Sequence, residues 1–316
     1  MKVSVLIPSH NRVRLLRETL LSFRKVEVPP GVNVEVVVTA NACTDGTLDM
    51  LQELEASYPC PLRFFREETP GINVARNRCL REAQGDVFAF VDDDIKFSKR
   101  WVKGVVEGFQ EEDADMIAGR VKLWWEAVEK PDWLDDRVEK PDWLDDRLAG
   151  LLSAYDRGGK MKEVSLPGPI TANLAWSRKV YEELGPMKTG IEGNPEGMYR
   201  GEEVEYLQRA TKRNITVLYV PDALVYHWVE PERVSSRFFA KAGRAYGHSR
   251  VQMKDAFGAL NAIRSVGGYV YLTGRHGLQQ VLAWGRGKTA DQYYHSYAKN
   301  VGLGGLHGAF LRLRGK

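Results

Sequence analysis

Short apolar runs alternate with helix-spaced apolar positions over residues 1–91. The runs predict β-strands at 3–7, 34–38, 62–65 and 86–91. The helical spacing predicts helices over 13–25, 48–54 and 72–83. Strands separated by helices are typical of a mainly parallel, Rossmann-like sheet with right-handed crossovers, so the pattern predicts an α/β fold.

The rest of the chain carries weaker signals. Helices are predicted over 98–110, over 178–184 and from residue 201, and strands at 217–220 and 223–227. From residue 234 onward the chain is basic, aromatic and dotted with glycine. We expect that part to form a C-terminal helical extension.

Polar clusters follow three of the predicted strands. They occupy positions 9–11, 41–45 and 92–94. Ligands of open α/β sheets bind at the carboxyl ends of the strands, so these clusters predict a functional site at that edge of the sheet.

Composition and charge bound the class of protein. The chain has 316 residues, 43% hydrophobic and 28% charged, which is an ordinary globular balance. Residues 1–232 carry 31 basic and 40 acidic side chains, whereas residues 233–316 carry 14 basic and 2 acidic ones. We therefore expect a body over 1–232 and a separate basic extension over 233–316. No run approaches the 18 apolar residues of a membrane span, the start is too short and polar for a secretory signal, and three cysteines suit reduced thiols, so we expect a cytoplasmic protein.

An identical ten-residue segment occurs twice in succession, at 128–137 and 138–147. Two copies are too few and too short for a repeat architecture, and a surface loop absorbs such a duplication at small entropic cost. A duplicated surface loop is therefore the favoured interpretation. The alternative is that the doubled Trp133 and Trp143 grip a sugar.

Asp92, Asp93 and Asp94 directly follow the apolar run 88–91. Three adjacent carboxylates repel one another unless a cation or strong hydrogen-bond donors neutralise them. Hard oxygen ligands suit Mg²⁺ or Mn²⁺, completed by water and substrate phosphates. A solvated turn or a helix N-cap is the alternative interpretation.

Other candidate groups have both structural and functional interpretations. The acids of 201–205 begin a helix, where they either complement the helix dipole or supply a general base. His227 ends an apolar strand, where a lone histidine is more often structural than a ligand. Arg76 either covers a helix surface or forms a fork with a phosphate or a base edge. Walker A, G-x-G-x-x-G, H-E-x-x-H and G-x-S-x-G motifs are absent from the sequence.

Taken in order, six segments resemble the family 2 glycosyltransferases of the GT-A type. They lie at 5–12, 41–47, 71–77, 90–95, 172–178 and 201–205, so the resemblance covers about residues 1–230. It implies a GT-A fold, with a nucleotide-binding half over 1–121 and an acceptor-side half over 122–232. It also implies inverting transfer of a sugar from a UDP-, GDP- or dTDP-linked donor to a glycan or lipid-linked acceptor, with Mg²⁺ or Mn²⁺ on the diphosphate.

The resemblance also implies donor-binding residues. The nucleoside would meet the loop after the first strand, where His10 could stack on the base, and the family often has an aspartate at the position of Ala40, which leaves Asn41 as a substitute. Arg76 would contact the base or the diphosphate, and Asp92 the ribose. The full donor set is Pro8, Ser9, His10, Asn11, Asn41, Arg76, Asp92, Asp93, Asn173 and Trp176.

The metal and the catalytic base are implied in the same way. Asp94 matches the metal-binding position of an Asp-x-Asp motif together with Asp92, and His227 matches a third metal ligand of some GT-A enzymes. Glu203 matches the family's base, normally an aspartate; because glutamate is one methylene longer, Glu202 stays an alternative.

Two rival classes of function remain. A nucleotidyltransferase also uses carboxylate-bound metal but needs a glycine-rich basic loop, which 8–11 does not provide. A catalytically silent nucleotide- or sugar-binding module would bind the donor without metal dependence. For the basic extension, a solvated face or a homo-oligomer contact competes with a peripheral seat on an anionic inner membrane face. Nucleic acid is not expected as a partner, because no nucleic-acid-binding module is recognisable.

Overall fold

The computed structural model describes residues 1–124, 146–164, 170–190, 202–230, 233, 235–252 and 259–313. The chain divides into two compact units. The first comprises Met1–Trp124, Ser153–Glu192 and Glu202–Trp228, and the second comprises Trp125–Leu152, Gly193–Gly201 and Val229–Lys316. The repeated segment lies outside the described residues except for its last two positions.

A sheet of nine strands forms the centre of the first unit. The strands are β1 (Lys2–Ser9), β2 (Asn33–Asn41), β3 (Leu62–Glu67), β4 (Val87–Val91), β5 (Ile95–Phe97), β6 (Met116–Trp124), β7 (Lys162–Glu163), β8 (Asn173–Ser177) and β9 (Val217–Trp228). Their order is β3-β2-β1-β4-β8-β6-β9-β5, and β7 pairs with β9. The α/β prediction is confirmed.

Strand direction changes across this sheet. The first four strands are parallel, as their pattern predicts. Beyond them β8 runs antiparallel to both β4 and β6, β9 runs parallel to β6, and β5 is antiparallel to β9. The sheet is therefore parallel over β3, β2, β1 and β4 and mixed beyond β4.

Two strand predictions near the end of the sheet need correction. Residues 217–220 and 223–227 form one strand, β9, because its pairing with β6 continues through a register shift opposite Gly119 and Arg120. Pro221 and Asp222 gave that stretch the appearance of a break in the sequence. The sequence pattern did not predict β5, because three residues are too few to show the alternation of a strand.

Six helices flank the sheet of the first unit. They are α1 (Val13–Phe23), α2 (Thr47–Glu55), α3 (Ile72–Glu82), α4 (Trp101–Gln110), α6 (Arg178–Leu184) and α7 (Glu202–Lys212). α1 buries Leu16, Leu20 and Phe23 at helical spacing. Because each fully buried aliphatic or phenylalanine side chain contributes about 1.5–3 kcal/mol, this face holds α1 on the sheet.

The second unit is helical where it is described. It contains the short α5 (Asp146–Ala149), a 3₁₀ turn at Gly150–Leu152, and three long helices, α8 (Ser236–Gln252), α9 (Ala259–Gly285) and α10 (Thr289–Leu313). α10 packs against both α8 and α9. A side chain at Gly247 would strike the backbone oxygen of Val301, so glycine permits the close approach of α8 and α10. Among the described helices, none has the length and hydropathy to cross a membrane.

Candidate functional site

The acidic turn between β4 and β5 is held from two sides. The Thr19 hydroxyl of α1 accepts a hydrogen bond from the Ile95 backbone N–H at 3.1 Å and lies 3.0 Å from the Asp93 carbonyl oxygen. From β9, the Trp228 backbone N–H donates to the Asp94 carbonyl at 2.8 Å. These bonds fix the backbone that carries Asp92, Asp93 and Asp94.

Asp92, Asp94 and His227 come together at this turn. One potential ligand atom from each lies within 4.8 Å of the others. The Nε2 atom of His227 is 3.5 Å from Asp92 Oδ2 and 3.4 Å from Asp94 Oδ1. The pairing of Ile95 with His227 across β5 and β9 produces this arrangement.

Two observations indicate that this group could hold a divalent cation. His227 Nδ1 lies 2.8 Å from the Trp228 carbonyl, a contact that orients the ring with Nε2 towards the carboxylates, as in metal-binding histidines. Asp94 Oδ1 is buried and has no hydrogen-bond partner among the described residues. An unpartnered buried carboxylate oxygen is costly unless a cation or donor reaches it.

Arg12 supplies positive charge next to the cluster. Its Nη1 lies 2.6 Å from Asp94 Oδ2 and 3.3 Å from Asp93 Oδ1, and the Ser9 hydroxyl donates to Asp93 Oδ2 at 2.6 Å. Burial, followed by repulsion from Asp94, raises the pKa of Asp93 to about 7 despite these partners. Burial also acts to raise the pKa of Asp92, but His227 and the nearby arginines outweigh it and the pKa is lowered.

Arg12 and Thr19 are site residues that the sequence interpretation missed. Arg12 lies inside segment 5–12, which carries part of the family resemblance, but its ion pairs depend on how the loop after β1 folds against the acidic turn. Thr19 sits on the buried face of α1, where its pattern alone indicates only core packing.

The loops after β1 and β2 meet at one rim. The His10 ring Nδ1 lies 2.6 Å from the Asn41 carbonyl oxygen. Asn11 has a left-handed backbone, φ 51°, and its side-chain oxygen accepts from the Thr44 backbone N–H at 2.7 Å. His10 and Asn11 are exposed or partly exposed at this rim, whereas Pro8 is buried at the end of β1.

The Asn41 side chain is already engaged. It donates to the Thr69 carbonyl at 2.7 Å and accepts from the Gly71 N–H at 3.0 Å. Asn41 is also buried, so its amide holds the segment that leads into α3.

Arg76 is a buried guanidinium without an acidic partner among the described residues. It donates to Thr171 Oγ1 at 2.7 Å and to Asn73 Oδ1 at 3.1 Å, and its buried Nε has no hydrogen-bond partner. Its charge lowers the pKa of Asp92. A buried cation with neutral partners and a spare donor favours an anion nearby.

Asn173 and Trp176 are both buried on β8. The Asn173 amide donates to the Arg120 and Ala223 carbonyls, at 3.0 and 2.6 Å, and accepts from the Trp101 indole at 3.0 Å. Trp176 is fully buried between Phe90 and Tyr206, with ring centroids 5.0 and 4.9 Å away. The Asn173 amide is therefore engaged on both its oxygen and its nitrogen, whereas the buried Trp176 indole Nε1 has no hydrogen-bond partner among the described residues.

Glu202 and Glu203 begin α7, and their side chains lie outside the described residues, as do Trp133 and Trp143. Glu205 of the same helix is described. Its Oε1 lies 3.3 Å from Lys188 Nζ and 3.0 Å from Arg209 Nε, so it is committed to ion pairs.

Sequence comparison places the chain among known proteins. The model of glycosyl transferase family 2 matches residues 4–185. Relatives include the uncharacterized glycosyltransferase YfnE of Bacillus subtilis, 36% identical over 40% of this chain and 31% of YfnE. The glycosyltransferase AglE of Haloferax volcanii is 23% identical over 72% of this chain and 67% of its own length. The chain thus spans about a third of YfnE and two thirds of AglE.

Structural comparison confirms the predicted GT-A fold. The mannosyltransferase PcManGT of Pyrobaculum calidifontis, solved with GDP-Man and Mn²⁺, aligns with a TM-score of 0.57 and 13% identity, over 96% of this chain and 86% of that one. GalNAc-T7, solved with UDP, GalNAc and Mn²⁺, aligns with a TM-score of 0.55 and 17% identity, over 84% and 54%. At these identities the likeness concerns the fold.

Proposed function

Because the chain belongs to glycosyl transferase family 2, we propose that it moves a sugar from a nucleoside-diphosphate donor to an acceptor hydroxyl, with inversion and with Mg²⁺ or Mn²⁺. The observation that carries the proposal is the joint approach of Asp92, Asp94 and His227 at the carboxyl edge of the sheet. The edge is where open α/β sheets bind ligands.

Asp94, His227 and Asp92 would hold the cation. When bound, it supplies positive charge to the donor diphosphate and to the departing nucleoside diphosphate. The Mn²⁺ in PcManGT and GalNAc-T7 supports this choice of ion. Arg12 offsets part of the carboxylate charge, so the cluster does not depend on the metal alone to remain folded.

The remaining donor contacts follow from position. Arg76 has a buried charge and a spare Nε, which suit it to a diphosphate oxygen. His10 stands at the rim of the first two loops, where it can stack on a base. Because Ala40 has no polar side chain and Asn41 is engaged, we infer that the backbone at this rim reads the base. A UDP-, GDP- or dTDP-linked donor is compatible with such a site.

Glu203 is the proposed general base. Position 203 precedes the buried Leu207 and Ala210 by four and seven residues, the spacing of one helix face, whereas Glu202 is seven residues from the ion-paired Arg209. The acceptor oxygen forms a bond to the anomeric carbon, the bond from that carbon to the diphosphate breaks, and the acceptor proton passes to Glu203. One such displacement inverts the anomeric configuration.

The acceptor is proposed to be a glycan or a lipid-linked glycan reached from the cytoplasm. The relatives include a succinoglycan biosynthesis protein, a dolichol-phosphate mannosyltransferase and a poly(ribitol-phosphate) β-N-acetylglucosaminyltransferase, and their names support this class. For this chain, cell-envelope or glycolipid synthesis is therefore the proposed context.

The first test is a thermal-shift panel of UDP, GDP, dTDP and CDP, each with Mn²⁺ or with EDTA. Ligand bound to the native state raises its apparent stability, so we expect a metal-dependent shift for one nucleotide. A nucleotide shift that is equal with Mn²⁺ and with EDTA, without any turnover, would favour a catalytically silent binding module. Release of pyrophosphate instead of a nucleoside diphosphate would indicate a nucleotidyltransferase.

The base is tested with Glu203→Gln, against Glu202→Gln and Glu205→Gln as matched variants. Glu203→Gln should retain the nucleotide shift and lose at least 100-fold in kcat, at the lower end of what general-base catalysis contributes. The anomeric proton coupling of the product, read by NMR, reports inversion. Near-normal turnover of Glu203→Gln would refute the assignment, and loss confined to Glu202→Gln would transfer it to that residue.

A further inference from the structure

Helix α9 carries large apolar side chains in the open. Six of them are between 48% and 74% exposed, and we call this set the α9 stripe: Val270, Tyr271, Leu278, Val281, Leu282 and Trp284. Proteins that remain in water rarely leave a contiguous apolar surface of this kind uncovered. The stripe therefore indicates a surface that something covers.

The stripe is distinct from the face that α9 uses for packing inside its own unit. The packing face is marked by Thr273, His276 and Gln280, which meet Gly302, His295 and Lys299 of α10. Leu278 and Val281 follow Val270 by eight and eleven residues. This spacing places the three side chains on one side of α9, which differs from the packing face. Packing against α10 therefore leaves the α9 stripe uncovered.

The charge around the stripe is almost entirely positive. Arg275, Arg286 and Lys288 are exposed on α9 and just after it. From residue 259 to the end, the sequence has eight basic residues and a single acid, Asp291. An apolar helix face flanked by cations matches a surface that is apolar inside and anionic at its boundary.

We propose that the α9 stripe docks on an anionic lipid bilayer, with the helix lying in the plane of the headgroups. Trp284 and Tyr271 suit this depth, because their rings are apolar and their polar atoms stay hydrated. A second copy of this chain is the less favoured occupant, since a symmetric contact would place the same cations against each other. The docking is independent of the transfer chemistry, and only its use in reaching a lipid-linked acceptor rests on the proposed function.

The test is flotation of the full-length protein with vesicles, in the absence of donor and Mn²⁺. Vesicles of phosphatidylcholine with 30% phosphatidylglycerol are compared with pure phosphatidylcholine, at 50 and 500 mM NaCl. The protein should float with the anionic vesicles at low salt and dissociate at high salt. Leu278→Gln and Val281→Gln should each weaken partitioning about fivefold, and Arg275→Gln with Arg286→Gln about 25-fold together.

Exposed residues of the first unit provide matched controls. Val28→Gln and Arg66→Gln each remove one exposed side chain of the first unit, the former apolar and the latter charged, and both variants should float like the wild type. Circular dichroism and melting curves of every variant report whether the fold is intact. Because no donor is present, failure of flotation leaves the glycosyltransferase proposal standing, and failure of transfer leaves the docking proposal standing.

Three results would overturn the proposal. One is the absence of binding to anionic vesicles at low salt. Another is binding that the α9 variants do not change, which would place the lipid surface elsewhere. The third is concentration-dependent dimerisation in sedimentation velocity that Leu278→Gln abolishes, since the stripe would then be covered by a second copy.

Discussion

Replacing Asp94 by asparagine should separate metal binding from folding. The substitution keeps the shape of the side chain and removes one of three adjacent carboxylate charges. In the metal-free protein it turns the 2.6 Å ion pair with Arg12 into a hydrogen bond to an uncharged amide, but it also relieves repulsion on Asp93, whose pKa that repulsion helps to raise. Because the two effects oppose each other, we expect stability in EDTA to stay within about 1 kcal/mol of the wild type, less than the 3–5 kcal/mol typical of breaking a buried ion pair.

In the presence of Mn²⁺, the stability of the wild type should exceed that of Asp94→Asn. A cation present at 100 times its Kd stabilises the native state by about 2.7 kcal/mol, or roughly 5 °C or more in Tm. Asp94 contributes the buried oxygen without a hydrogen-bond partner, so we expect its loss to weaken the metal at least 100-fold, on the order of what removing a supporting metal contact costs. The same Mn²⁺ concentration would then stabilise the variant by only about 0.4 kcal/mol.

The assay is differential scanning fluorimetry with titrated Mn²⁺, beside glycosyl transfer under the same conditions. Asp49→Asn, an exposed acid in the first turn of α2, is the matched control and should keep both the shift and the activity. A full Mn²⁺ shift in Asp94→Asn would refute the metal site. A wild type without any Mn²⁺ shift, tested with and without the nucleotide, would refute it equally.

Three further predictions concern individual buried side chains. Thr19→Val should lose about 1–3 kcal/mol in urea unfolding because it strands the Ile95 N–H, whereas Thr19→Ser should keep most of that stability. Burial raises the pKa of Cys79 to about 12, so in native protein at pH 8 iodoacetamide should modify it far more slowly than in urea; equal rates by mass spectrometry would contradict this. Burial, then His295 and Arg275, lowers the pKa of His276, so the folded state binds fewer protons than the unfolded one just below pH 6.5. Stability should therefore fall as pH drops from 7.5 to 5.5, and His276→Gln should show a smaller decline in melting experiments.

Sequence alone determined the order of elements over residues 1–91 and the acidic end of β4. Continuous apolar runs such as 87–91 can be satisfied as strands buried on both faces, and helix-spaced stripes such as that of α1 bury one side against the sheet. Both patterns are local, so they can be recognised in the sequence without any tertiary information. The six ordered segments likewise sufficed for the family, because a family match depends on residues and their spacing.

Tertiary structure alone decided which polar groups are engaged and which are open. The side chains of Asn41 and Asn173 are engaged by neighbours that are distant in sequence, whereas Arg76 and Asp94 each retain a buried polar atom without a hydrogen-bond partner among the described residues. His227 reaches Asp94 only because β9 pairs with β5 at one particular register. A side chain's availability depends on the groups that surround it after folding, and those partners come from elements far apart along the chain, so no local pattern can specify them.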